Sequence, residues 1–195
     1  MNAFFQSLGR TLLAGLALLA LVFLSARSDL LDLHTLSWWT FVMRWLHVAA
    51  AILWLGLLGY FNFVQIPAMP RIPDAQKPAI IQIIAPAALF WFRWAALATV
   101  FLGLGLASMT HALLPALRLQ TPYTAIGIGM WLGLLMAFNV WFILWPLQKK
   151  VLGLVPAESL ARAQAARTSQ LVSRINLMLS VPMLYCMVAQ SHGGL

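Results

Sequence analysis

The chain has 195 residues, 63% of them hydrophobic and 8% charged, with a mean hydropathy of +0.89. So little charge excludes a soluble globular domain. Continuous apolar runs of about twenty residues exclude a β-barrel and leave an all-α integral membrane bundle. The formal net charge of +8 does not indicate nucleic acid, because the Lys and Arg residues flank apolar segments, where cytoplasmic positive bias and anionic lipid account for them.

In chain order, the apolar runs predict five transmembrane helices at about 8–26, 38–65, 86–113, 123–147 and 171–191, in one domain spanning 1–195. The first follows a short basic lead-in ending at Arg10 and reads as a retained helix, although small residues at Ser25-Ala26 would also suit a cleaved signal. The second carries Arg44 and His47 near its start and no charged residue from Val48 to Val64. Between the second and third, Pro67, Pro70, Pro73 and Pro78 keep residues 66–84 from forming one long helix. Between the fourth and fifth, residues 157–169 read as an amphipathic, Ala-rich extension lying at the interface. Trp38, Trp39, Trp91, Trp94, Trp141 and Trp145 suit an interfacial belt.

Arg71, Lys77, Lys149, Lys150, Arg162 and Arg167 share one side with Arg10, against Arg27, Asp29, Asp32, Arg44 and Arg118 on the other. The positive-inside bias then gives an N-in, C-out topology. Cys186 is the only cysteine, which excludes an intrachain disulfide and a thiolate metal cluster and leaves it as a packing residue.

All four histidines fall on the non-cytoplasmic side of this topology. His34 reads as a solvated loop residue, while His111 and His192 stand at helix C-termini, where an imidazolium meets the negative dipole end. His47 lies deeper, and an ionisable group inside a membrane helix is a functional candidate by default. Axial ligation of haem b is the sharp reading, with His47 on the iron and His192 or His111 as the second ligand. Arg44, at i−3 from His47, would meet a propionate, and Gly56, Gly59, Gly103 and Gly105 leave room for close helix packing or a flat ring. Copper held by His and Met is an alternative. A second polar set comprises Asn62, Gln65, Arg93, Asn139, Gln148, Arg174 and Asn176. It suits either interhelical hydrogen bonds or a pocket for a small anionic or amphiphilic substrate, with Arg93 and Arg174 as charge partners.

Four stretches carry a family resemblance. RWLHVAAAILWLGLLGYFNF (44–63), WFRWAALATVFLGLGL (91–106), GIGMWLGLLMAFNVWFILWPLQKKV (127–151) and SRINLMLSVPMLYCMVAQSH (173–192) together resemble the membrane domain of the cytochrome-c-type urate oxidases, the PuuD-type urate hydroxylases. The likeness covers about residues 38–193 in order and maps onto Arg44, His47, Asn139, Pro146, Gln148, Arg174, Asn176, Pro182 and His192. It implies an oxidoreductase domain of a bacterial inner membrane that pairs His47 with His192 and faces cytochrome c outside the cytoplasm, with urate oxidation as the family's activity. The sequence lacks a Cys-x-x-Cys-His haem-attachment segment and is shorter than the family's membrane domain, so the expected form stands alone and passes electrons to a separate cytochrome c. The His-bearing helix is also loosely similar to HemJ-type protoporphyrinogen oxidases and CopD-type copper proteins. The competing expectations are a cofactor-free accessory subunit of a respiratory complex and a copper-handling protein at the outer face; a homo-oligomer stays open.

Overall fold

The computed structural model describes residues 5–26 and 35–192, and places them in two compact units, Met1–Trp39 and Thr40–Leu195. The described residues form helices and no strand. The helices are α1 (Leu8–Ala26), α2 (Leu36–Arg71), α3 (Lys77–Met109), α4 (Leu113–Leu117), α5 (Thr124–Val151) and α6 (Ser159–His192). All but α4 are long and apolar enough to cross a membrane, which makes this a multi-pass membrane protein. The expected loop residues Arg27, Asp29, Asp32 and His34 lie outside the described residues.

The first unit holds α1 and the opening of α2. Leucines surround α1, and no residue of its span is buried, so its surface suits lipid on all sides. Within this unit the Phe23 and Trp38 rings meet at 4.9 Å.

In the second unit the register is antiparallel throughout. Trp141 Nε1 donates to the Arg93 carbonyl, Asn139 Nδ2 to Asn176 Oδ1, and the Ile126 amide to Gln190 Oε1. The bundle therefore has a basic end, with turns at residues 72–76 and 152–158, and an opposite end at residues 110–123. Its core is Trp54, Leu58, Phe61, Leu89, Phe92, Met136, Val140, Leu144 and Met183. Ile52, Phe63, Phe101, Phe142 and Val181 point outward as a lipid-facing surface.

Three boundaries differ from the sequence reading. The expected 66–84 loop shrinks to residues 72–76, because α2 runs to Arg71 and α3 begins at Lys77. Prolines permit this, since Pro70 and Pro78 each stand in the first turn of a helical piece, where a missing N–H costs nothing. The interfacial extension is the opening of α6 instead, with Ala165 and Ser169 buried. The third helix stops at Met109, and His111 occupies the left-handed position of a Schellman motif at φ 56°. There His111 N–H bonds to Ser108 O and Ala112 N–H to Ala107 O. The same motif recurs at Leu119, and α4 then folds onto α5 at Gly127, where a β-carbon would overlap the Ala116 carbonyl.

Each long middle helix contains one widened turn: Tyr60–Gln65, Ile80–Ile84 and Asn139–Leu144. In each, an amide bonds five residues back, as in Ile66 N–H to Phe61 O, Ala85 to Ile80 and Trp145 to Val140. A proline follows every one of them: Pro67, Pro86 and Pro146. A proline ring collides with the carbonyl four residues earlier and leaves it without a donor. Those carbonyls belong to Phe63, Gln82 and Phe142, all inside the spread turns.

Candidate functional site

The histidine group of the sequence reading does not assemble as a pair. His47 is half-buried, and its Nδ1 lies 2.9 Å from the Thr99 carbonyl of α3. A carbonyl only accepts, so Nδ1 carries the proton, and in the neutral ring Nε2 is left with a free lone pair. The ring rests on Gly103, where a β-carbon would stand 2.8 Å from His47 Cε1, and Met43 rests on Gly105 in the same way. These two glycines are thus filled by side chains of α2 and leave no flat slot between the helices.

Register separates the other imidazoles from His47. From Thr99 to the end of α3 the helix rises about 15 Å before His111 is reached, at 1.5 Å per residue; His111 itself is exposed. The α5–α6 pairs put the level of Thr99 near Ser180, so the His192 backbone stands about 18 Å farther along the bundle. The His192 side chain lies outside what the structure describes, and Arg44 is exposed. The donor set fits a single imidazole ligand, not two across one ring. Among the described residues no three of His, Cys, Asp or Glu come together.

The second polar set divides in two. Asn139 and Asn176 are buried and spent on structure: Asn176 accepts from Asn139 at 2.8 Å and donates to the Met136 carbonyl at 3.0 Å. Asn62 likewise donates to the Leu58 carbonyl and to Ser173 Oγ. Arg174 is exposed and does not reach a pocket.

Arg93 and Gln148, in contrast, line a cavity of about 240 Å³ near the basic end, between α2, α3, α5 and α6. Its apolar wall includes Phe61, Ile81, Leu89, Phe92, Val140 and Leu144, and its polar lining comprises Gln65, Arg93, Gln148, Ser169, Gln170 and Ser173, with the Trp145 indole. All three widened turns contribute lining residues: Phe61 and Gln65, Ile81, and Val140 and Leu144. Such turns are frequent at functional sites, since the extra residue spreads the helix and re-aims its side chains.

The Arg93 guanidinium is the centre of this cavity's electrostatics. Its Cζ lies 3.2 Å from the Trp145 ring centroid and 5.8 Å from that of Trp141. Trp141 in turn packs edge-on against Trp94 at 5.5 Å. Arg93 Nε and Nη1 are buried, and neither donates a hydrogen bond. A desolvated cation–π contact returns about 2 kcal/mol, but it leaves the two orphaned nitrogens unsatisfied, which leaves room for an anion. No carboxylate lines the cavity, and the other orphaned polar atoms there are Gln65 Oε1 and Ser169 Oγ.

Ser169, Ser173, Gln170 and the buried Trp54, whose indole N–H lacks a partner, were not among the residues singled out from sequence. A signal existed for α6: Ser169, Ser173, Asn176 and Ser180 recur at helical spacing, and all four are buried. The chain matches no protein-family model, no curated protein and no solved structure.

Proposed function

We propose that the chain is a membrane-embedded binding protein for a small anion, taken up in the cavity around Arg93. The observation that carries this reading is a guanidinium stacked on Trp145 with two buried, unpaired nitrogens and no acidic partner in the lining. Arg71, Lys149, Lys150, Arg162 and Arg167 gather at the same end of the bundle, against Asp74 and Glu158. Such a field raises the local concentration of anions and speeds their entry. By the positive-inside bias this end faces the cytoplasm of a bacterial inner membrane. The lining holds no Asp, Glu, His, Cys, Lys or Tyr, so it offers no general base, and the cavity binds its ligand without acid–base chemistry of its own.

Calorimetric titration of benzoate into the full chain in nanodiscs tests the reading. Wild type takes up benzoate, and Arg93→Gln weakens it at least about tenfold, the effect of removing one charged hydrogen-bond partner. Wild-type and Arg93→Gln proteins that bind benzoate alike, or a wild type that binds neither benzoate nor its hydroxylated forms, would refute it.

A second reading rests on His47. A Nδ1–H held by a backbone carbonyl with Nε2 free is the arrangement that orients a metal-ligating imidazole. In the redox reading implied by the urate-oxidase resemblance, His47 alone would hold haem b, which supplies one-electron chemistry toward a separate cytochrome c. A reduced-minus-oxidised spectrum of the purified chain decides this: no Soret band, or one unchanged in His47→Ala, sinks it.

A further inference from the structure

The orphaned atoms of the cavity are of both kinds. Arg93 Nε and Nη1 are donors without acceptors. Gln65 Oε1 is an acceptor without a donor, on the α2 wall of the same cavity. Ser169 Oγ, on the α6 wall, serves either way and has no partner. A plain carboxylate would satisfy Arg93 and leave the Gln65 acceptor dry and unpaired, which carries its full desolvation penalty.

Resting on the anion-site reading above, we infer that Gln65 is the specificity-determining residue of the cavity: it favours monoanions that carry their own O–H or N–H donor over those that do not. The single guanidinium limits the charge to one, because a second negative charge would have no partner in the lining. The cavity volume of about 240 Å³ limits the body to a single ring or a short branched chain. Hydroxybenzoates stand for the favoured class and benzoate for the weaker-binding one. Sites built to hydrogen-bond a hydroxyl discriminate strongly against analogues that lack it, since the site's own polar groups are then stranded.

The test compares benzoate, 3-hydroxybenzoate and 4-hydroxybenzoate by calorimetry on the full chain in nanodiscs. At least one hydroxybenzoate binds wild type about tenfold or more tighter than benzoate, the ratio expected for one buried acceptor gaining its donor. Gln65→Met removes the acceptor at similar volume, and the preference collapses to within about twofold, chiefly because benzoate improves. Equal affinities of all three anions for wild type, each lost in Arg93→Gln, overturn this inference and leave the anion site standing. Binding of none of the three overturns the underlying reading. Where Gln65→Met does not fold, the wild-type comparison decides by itself.

Discussion

Gly103→Ala probes how closely α2 and α3 are joined through His47. The added β-carbon would stand 2.8 Å from His47 Cε1 and 3.0 Å from Nδ1, and its three nearest neighbours all belong to that ring. The imidazole must therefore move, and its 2.9 Å bond to the Thr99 carbonyl goes with it. Overpacking of this kind costs about 1–3 kcal/mol, and an interhelical hydrogen bond in a membrane is worth roughly 0.6 kcal/mol. Alanine returns up to about 1 kcal/mol of helix propensity, so the net destabilisation is about 2 kcal/mol. Reversible unfolding of the full chain by sodium dodecyl sulfate in mixed micelles measures it. In a His47→Ala background the clash partner is absent, and Gly103→Ala becomes neutral or stabilising by up to about 1 kcal/mol. The coupling between the two sites is then about 2–3 kcal/mol, well above the additivity error of about 0.5 kcal/mol. Equal effects of Gly103→Ala in both backgrounds would refute the packing argument.

Asn176→Leu strands the Asn139 amide and the Met136 carbonyl in the core, so it destabilises by about 1–3 kcal/mol in the same unfolding assay. Adding Asn139→Leu recovers part of that loss, because both partners are then apolar. His111→Gly removes a side chain from a left-handed position at φ 56° and stabilises by up to about 1 kcal/mol; a loss of stability would show that the imidazole has a partner the helix end depends on.

The membrane class and the existence of every long helix were legible, because continuous apolar runs such as Val48–Leu58 have no other physical use. Helix ends were less so. Pro67 and Pro70 read as a break, yet α2 continues to Arg71, since an isolated proline stops a helix only when the carbonyl it displaces has no other solution. The site was half legible. Gln65, Arg93 and Gln148 belonged to the second polar set and do line one cavity, while Asn139 and Asn176, of the same set, are consumed by each other. Composition cannot tell these cases apart, because the difference lies in which face of which helix each amide occupies. His47, His111 and His192 illustrate the converse: they lie toward one end of their helices, but sidedness fixes only a half of the membrane, and ligation of one ring requires a common level.

The link between proline and the cavity is the part of this fold that sequence carries and periodicity misses. A strict 3.6-residue reading assigns α2, α3 and α5 one unbroken face each. The insertion of one extra residue per wide turn rotates everything beyond it by about 100°. Gln65 and Arg93 therefore reach the cavity from helices whose apolar stripes would otherwise have placed different residues there. Three interior prolines, at 67, 86 and 146, each follow such a turn by two residues. Pro182 lies in α6 without a widened turn, so a proline alone does not produce one. What distinguishes the three is that their turns surround the same volume. Spread backbone on three helices that border one volume leaves space that side chains do not fill. The guanidinium of Arg93 and the amide of Gln65 turn that space into a polar site, not a packing fault.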